Sequence, residues 1–294
     1  MFLSKFLRNI SILCMLVPAS CGVKSSNDVL TVSVSVPPEE FVLKEIGGDK
    51  IDVKCLMTKG SNPETFEPTV NQILELSKSD LYFTIGLLDF EYGLKDKVKE
   101  NSKDIEVINF ADSLELLYGT HGDCGHHHKH HHHGVSDADP HVWASIKNLK
   151  KMGQTAYYVL CKYDAQNKDT YKANLDKYTH RLDSIDDIIS GKISRLRTKS
   201  FLVWHPSLSY FANDYGLTQI TIGSHNKEQS ISRLKEKIVQ AMQDSVRVFF
   251  YQKEFDSSQA TVANEKIDAR FVEINSMNED VTGELIHIAN ELSK

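Results

Sequence analysis

The chain has 294 residues, of which 40% are hydrophobic and 25% are charged, with only 7 Pro and 15 Gly. This composition excludes a disordered or collagen-like chain and is sufficient for one large domain or two ordinary ones. The 34 Lys and Arg residues against 40 Asp and Glu give a net charge of −6, which lacks the basic field that nucleic-acid binding requires.

The first residues have the order of a secretory signal: two basic residues, an apolar run over residues 10–19, and then small residues. The run is too short to cross a bilayer as a helix. We therefore expect residues 1–20 to be a signal peptide. The Ala-Ser-Cys sequence resembles the lipobox of bacterial lipoproteins, which would make Cys21 a lipidated residue followed by a flexible tether over residues 21–28. Ordinary signal-peptidase cleavage with loss of Cys21 is the alternative.

Short apolar segments then alternate with helical patterns. Segments that begin at Leu30, Ile51, Leu81 and Glu106 have the length and composition of strands. They are nearly continuous in hydrophobicity, as is typical of a parallel sheet that helices cover on both faces. The pattern predicts an N-terminal α/β lobe over residues 29–165.

Eight of the 13 histidines lie in a polar stretch flanked by glycines within this lobe. No core can bury so many imidazoles, so residues 119–136 are predicted to form a mobile surface loop that binds zinc, copper or nickel weakly. An expression tag or a low-complexity insert without a role is the alternative, and Cys124 is either a further ligand or incidental. The eight are His121, His126, His127, His128, His130, His131, His132 and His133.

Apolar residues at steps of three and four follow the first lobe. They predict a linking helix over residues 166–197, roughly 45 Å long at 1.5 Å per residue, and we favour a rigid strut over an ordinary core helix. Residues 198–294 repeat the strand and helix pattern. The expected fold is α/β, with two similar lobes, each a parallel-type sheet flanked by helices, joined by one long rigid helix. The apolar positions are Tyr171, Leu175, Tyr178, Leu182, Ile185, Ile189, Ile193 and Leu196.

Three turns carry side chains of the kind that bind metals. Glu64 and Glu67 precede a helix, His141 precedes the predicted helix cap Ser145, and His205 directly follows an apolar strand. Ligands of open α/β sheets bind beyond the carboxyl ends of the strands, where such turns converge. Taken singly these residues are weak signals, but together with the histidine-rich loop they indicate a defined metal site.

The same turns carry recognisable motifs. Residues 60–69 read GSNPETFEPT, close to the pattern G-x-D-P-H-x-(Y/F)-E-P-(T/S), and residues 139–143 read DPHVW. His205 is followed by Tyr-Phe at 210–211 and Tyr-Gly-Leu at 215–217. On these motifs the chain resembles the cluster A-I periplasmic solute-binding proteins of zinc and manganese ABC importers. The resemblance is strongest to the zinc-specific branch with a His-rich loop.

The resemblance implies two lobes with a metal buried between them and with His141 and His205 as ligands. Two positions depart from it: Glu64 stands where the first ligand is usually His, and Asn275 stands where an Asp is usual. Two imidazoles and one carboxylate are a set that holds zinc with an open fourth place, for which Asn275 and water are the candidates. Glu64 either binds the metal or hydrogen-bonds a ligand. Because a carboxylate is lost, zinc is favoured over manganese.

The resemblance also implies a function: capture of zinc outside the cytoplasm and delivery to an ABC permease and its ATPase. The sequence has no G-x-x-x-x-G-K-[ST] loop, so the partner must supply the energy. The alternatives are a manganese- or iron-type binding protein or adhesin of the same family, a zinc hydrolase, or a passive metal buffer. No H-E-x-x-H motif supports a hydrolase. We expect a monomeric, non-enzymatic lipoprotein that is exported and faces the periplasm or the cell exterior.

Overall fold

A computed structural model describes residues 29–102, 105–119, 138–223, 231–252 and 258–294. The predicted signal peptide, Cys21, the tether, Cys124 and the eight histidines of the loop lie outside the described residues. Within the described ranges, every helix is too short or too polar to span a membrane.

The N-terminal lobe is built on a four-stranded, fully parallel sheet with the strand order β2-β1-β3-β4. Its strands are β1 (Leu30–Val34), β2 (Ile51–Cys55), β3 (Leu81–Thr84) and β4 (Glu106–Asn109). Its helices are α1 (Pro37–Gly47), α2 (Val70–Leu76), α3 (Asp89–Asn101) and α4 (Ile146–Tyr163). The Ser145 side chain caps α4 by accepting a hydrogen bond from the backbone N–H of Asn148, as the sequence predicted.

The C-terminal lobe repeats this topology, with the order β6-β5-β7-β8 and parallel pairing throughout. Its strands are β5 (Ser200–Val203), β6 (Thr218–Thr221), β7 (Val248–Gln252) and β8 (Arg270–Ile274). Its helices are α6 (Ser209–Tyr215), α7 (Ile231–Gln243), α8 (Ser258–Ile267) and α9 (Val281–Leu292). The prediction of two similar parallel α/β lobes is confirmed.

A long helix, α5 (Lys168–Ile193), lies between the lobes. Its 26 residues make it roughly 39 Å long. The apolar positions from Tyr171 to Ile193 that the sequence singled out are all buried, whereas Leu196 lies beyond the end of the helix. The helix packs on α1 and α4 of one lobe and on α9 of the other.

The main hydrophobic core runs through both lobes. It includes Val34 and Phe83 of the first sheet, Tyr178 of α5, and Phe201 and Phe250 of the second sheet. Smaller clusters lie apart from it in each lobe. The two sheets are therefore joined by packed side chains as well as by the chain itself.

Two carboxyl groups are buried near the carboxyl ends of β1 and β3. Glu91 accepts hydrogen bonds from four successive backbone N–H groups, those of residues 85–88. Glu39 accepts two, from Ser35 and Val36, through Oε2, while its buried Oε1 has no partner among the described residues. Burial, together with the charge of Glu91, raises the pKa of Glu39 well above its usual value.

Candidate metal site

The three side chains that the sequence singled out as ligands lie together at one point between the lobes. His141 and His205, one from each lobe, approach with their Nε2 atoms 3.2 Å apart. Glu64 Oε1 lies 3.4 Å from His205 Nε2. Both imidazoles are buried, with exposed fractions of 1% and 4%, and 19% of the Glu64 side chain is exposed. The three side chains therefore form a polar cluster between the lobes, in which the carboxylate is the most exposed group.

Two of the separations are close to those between ligands of one ion. Nitrogen and oxygen ligands about 2.0–2.2 Å from a tetrahedral zinc lie about 3.3–3.6 Å from one another. The distances of 3.2 and 3.4 Å are close to that range. No three His, Cys, Asp or Glu side chains of the described residues already form a complete arrangement for holding a metal ion. The side chains would therefore have to reorient around the metal as it binds.

The turn that leads into α4 holds His141 through a buried carboxylate. Asp139 Oδ1 accepts a hydrogen bond from the His141 backbone N–H at 2.9 Å and lies 2.8 Å from Nδ1 of the ring. Burial by itself would raise the pKa of Asp139, but the hydrogen bonds and charge of His141 outweigh it and hold this pKa well below its usual range. An ionised Asp139 stabilises a proton on Nδ1 and so leaves the Nε2 lone pair for a metal.

Aromatic residues of the motifs brace the same turn against the C-terminal lobe. Trp143 Nε1 donates to the carbonyl oxygen of Ser276 at 2.9 Å. The Tyr210 hydroxyl donates to the carbonyl oxygen of Asp139 at 2.9 Å and accepts from the backbone N–H of Leu117 at 3.1 Å. The position of His141 therefore depends on hydrogen bonds from the other lobe.

The turn after β5 holds His205 through its backbone. Gln252, the last residue of β7, is fully buried. Its Oε1 accepts from the His205 backbone N–H at 3.2 Å, and its Nε2 donates to the His205 carbonyl oxygen at 2.8 Å and to Ser207 Oγ at 2.6 Å. Gln252 could not be predicted from the sequence, because a residue 47 positions from His205 gives no local signal.

Of the two glutamates in the turn after β2, only Glu64 reaches the histidines. Its backbone N–H donates to Asn62 Oδ1 at 2.9 Å, a local turn that directs the chain at this point. Glu67 is exposed on the surface, and Phe66 between them packs edge-on against Phe90 with ring centroids 5.0 Å apart. Anchoring of Phe66 thus separates the two carboxylates.

The structure does not bring Asn275 to the histidines. This residue is exposed, and its Oδ1 accepts a hydrogen bond from the backbone N–H of Met277 at 3.0 Å. Its backbone N–H donates to Glu284 Oε1 at 2.9 Å. Among the described contacts, Asn275 bonds only within its own lobe, so water is the better candidate for the fourth ligand.

Comparison with known proteins identifies the family of the chain. The family model described as ZnuA, zinc-uptake complex component A, periplasmic, matches residues 32–289. The chain is 27% identical over 274 residues to the high-affinity zinc uptake system protein ZnuA of Bacillus subtilis (strain 168), covering 90% of this chain and 86% of that protein. It is 26% identical to the zinc-binding lipoprotein AdcA of Streptococcus pneumoniae (strain ATCC BAA-255 / R6), covering 84% of this chain and 50% of AdcA.

The fold is also similar to that of ZnuA. A crystal structure of a zinc-bound ZnuA deletion mutant superposes with a TM-score of 0.81 at 28% identity, covering 90% of this chain and 97% of that one. The family match spans both lobes, the linking helix and all three turns that meet at the candidate site. The chain therefore belongs to the ZnuA family of periplasmic components of zinc-uptake complexes.

Proposed function

We propose that this protein captures zinc between its two lobes through His141, His205 and Glu64. It then delivers the ion to an ABC permease that its ATPase drives. The observation that carries the proposal is the meeting of two buried imidazoles from different lobes at 3.2 Å, with a carboxylate 3.4 Å from one of them. The zinc-binding names of ZnuA and AdcA support the choice of cargo.

The donor set favours zinc over manganese. Two neutral imidazoles provide the nitrogen ligands that suit zinc, and Glu64 provides a single carboxylate. Manganese prefers sites richer in oxygen ligands, and the exposed Asn275 adds none here. One carboxylate leaves the occupied site with a single net positive charge, and Asp139, hydrogen-bonded to His141, offsets it.

The remaining segments fit an exported, lipid-anchored carrier that is not an enzyme. In this proposal residues 1–20 are a signal peptide, Cys21 is lipidated, and residues 21–28 are a tether. Residues 29–165 and 198–294 are then the lobes, joined by the linking segment 166–197. The His-rich loop would concentrate zinc by weak chelation near the mature protein.

Zinc titration of the protein that lacks residues 121–133, with manganese as the competing ion, tests the proposal. We expect one tight zinc site that manganese does not displace. Loss of tight binding on deletion of the loop would mean that the loop is the metal-binding element, and the interlobe site would be wrong.

A further inference from the structure

The residue that sets the position of His205 is not itself a candidate ligand. His205 lies in an irregular segment between the end of β5 and the start of α6, so neither a strand nor a helix fixes its backbone. A ligand in such a segment depends on other contacts for the sub-ångström accuracy that metal coordination requires. The contacts around its peptide groups therefore show what holds it.

The ladder between β5 and β7 ends immediately before His205. Val203 pairs with Phe250, and the backbone N–H of Trp204 donates to the Phe250 carbonyl oxygen at 2.8 Å. Beyond Trp204 no strand pairing among the described residues holds His205, and a side chain, the carboxamide of Gln252, bonds it instead. This amide bonds both the N–H and the C=O of His205, as a neighbouring strand would.

The hydrogen-bond pattern requires an amide of this length. The N–H and the C=O of one residue can be bonded together only by a group that has an acceptor beside a donor. The oxygen of the Gln252 amide must therefore face the N–H and its nitrogen must face the C=O. The second Nε2 hydrogen is used by Ser207 Oγ at 2.6 Å. A carboxylate would present oxygen to the His205 carbonyl oxygen, which can only accept, and asparagine would be about 1.5 Å too short. Gln252 is fully buried, so water cannot replace a lost bond.

We propose that Gln252 is a positioning residue for zinc capture: its carboxamide holds the backbone of His205 just beyond the end of the β5–β7 ladder and so fixes the His205 imidazole against His141 and Glu64. The inference rests on the proposed function, since it assumes that His205 binds the cargo. Gln252 of the C-terminal lobe then determines zinc affinity without being a ligand of the metal.

Gln219 offers a matched control in the same lobe. It lies on β6, the other neighbour of β5, and its amide also bonds the segment that leads into α6. Its Oε1 accepts from the Leu208 backbone N–H at 2.9 Å, and its Nε2 donates to Ser209 Oγ at 3.0 Å. The same substitution at this position removes comparable hydrogen bonds without touching His205, and it leaves Ser209 able to keep its hydrogen bond with Asp139.

The experiment compares Gln252→Met with Gln219→Met in the full chain. Methionine keeps the length of the side chain and removes its hydrogen bonds. The tight-site zinc Kd is measured by competition with a chromophoric chelator, so that the weak loop sites do not contribute. We expect Gln252→Met to raise Kd about 10- to 100-fold, the range for partners that orient metal ligands, and Gln219→Met to change it less than about two-fold. Equal effects of the two substitutions would overturn the proposal.

Combination with His205→Ala separates positioning from general stabilisation of the lobe. If Gln252 acts through His205, Gln252→Met should not weaken the residual zinc binding of His205→Ala any further. A loss of the same factor in both backgrounds would show a structural role only. The visible spectrum of bound Co²⁺ should also change in Gln252→Met and stay unchanged in Gln219→Met.

Three further outcomes have distinct meanings. If Gln252→Met does not fold, Gln252→Asn keeps a buried amide that cannot span His205, and the same loss of affinity is expected. If His205→Ala alone retains tight zinc binding, the proposed cargo site is wrong. If His205→Ala loses tight binding and the folded Gln252 variants retain it, only the positioning role is wrong.

Discussion

The two histidine turns meet at one point, but they are held by different means. In the turn that leads into α4, a buried carboxylate, Asp139, contacts both the backbone and the ring of His141. In the turn after β5, a buried amide, Gln252, bonds both polar backbone groups of His205. The carboxylate controls the proton on the ring as well as its place, whereas these amide bonds act on the backbone. The comparison shows that two lobes of the same topology can present the same ligand through different chemistry.

The largest effect should come from removing either imidazole. His141→Ala and His205→Ala should each weaken tight zinc binding by more than about 100-fold, the upper end for residues that only orient a ligand. Calorimetric titration of the loop-deleted protein measures this. Retention of the wild-type Kd in both variants would show that the site is elsewhere, and a loss in only one would show that the turns are not equivalent.

In the N-terminal lobe, Asp139→Asn should weaken zinc binding. An amide can also donate to Nδ1, which would favour the tautomer with a proton on Nε2 and block the metal. Zinc Kd should rise about 10- to 100-fold. Asp186→Asn, which alters a carboxylate bonded to the Tyr215 hydroxyl away from the site, is the matched control and should leave Kd unchanged. Similar Kd values for the two variants would show that Asp139 has no special role.

Glu64→Gln should have a smaller effect, because the amide retains an oxygen that can face the metal. We expect zinc Kd to rise about 10-fold, and Glu67→Gln on the exposed side of the same turn to change it less than two-fold. The Co²⁺ spectrum distinguishes a ligand from a hydrogen-bonding neighbour, since only loss of a ligand carboxylate changes the coordination directly. An unchanged spectrum with weaker binding would place Glu64 outside the coordination shell.

The smallest expected effect is on protein stability and comes from a buried carboxyl group of the N-terminal lobe. Because the pKa of Glu39 is raised in the folded state, the fold stabilises its protonated form relative to its ionised form. Stability from this group is full below its unfolded pKa near 4.5 and falls as pH rises toward the folded pKa. Glu39→Gln should flatten this decline and raise Tm at pH 8 by about 2 °C, the shift expected for about 1 kcal/mol in a chain of this size.

The matched variant for this last comparison is Glu91→Gln. It should lower Tm, because the Glu91 carboxylate accepts four backbone hydrogen bonds and an amide has one oxygen fewer. Thermal unfolding followed by circular dichroism between pH 4 and 8 measures both variants. A parallel pH profile for wild type and Glu39→Gln would show that Glu39 is ionised in the fold.

The sequence was sufficient for the parts of the molecule that follow local rules. The stripe from Tyr171 to Ile193 is periodic, so the linking helix could be predicted. The turns at strand ends and helix starts that carry Glu64, His141 and His205 indicated a metal site. Gln252 could not be found in this way, because its role depends on the pairing of β5 with β7. Asn275 was a candidate only by its position in the motif, and its own turn uses its side-chain oxygen.

The core shared by the two lobes limits how such a protein can be divided or exchanged. The apolar face of α5 contacts helices of both lobes, so a chain cut near residue 165 would expose the surface that buries Tyr178. A fragment of either lobe would lack the core residues and the candidate ligands that the other lobe contributes. Exchange of one lobe with that of a relative would require the partner surface to change with it, so the two halves of the site must evolve together.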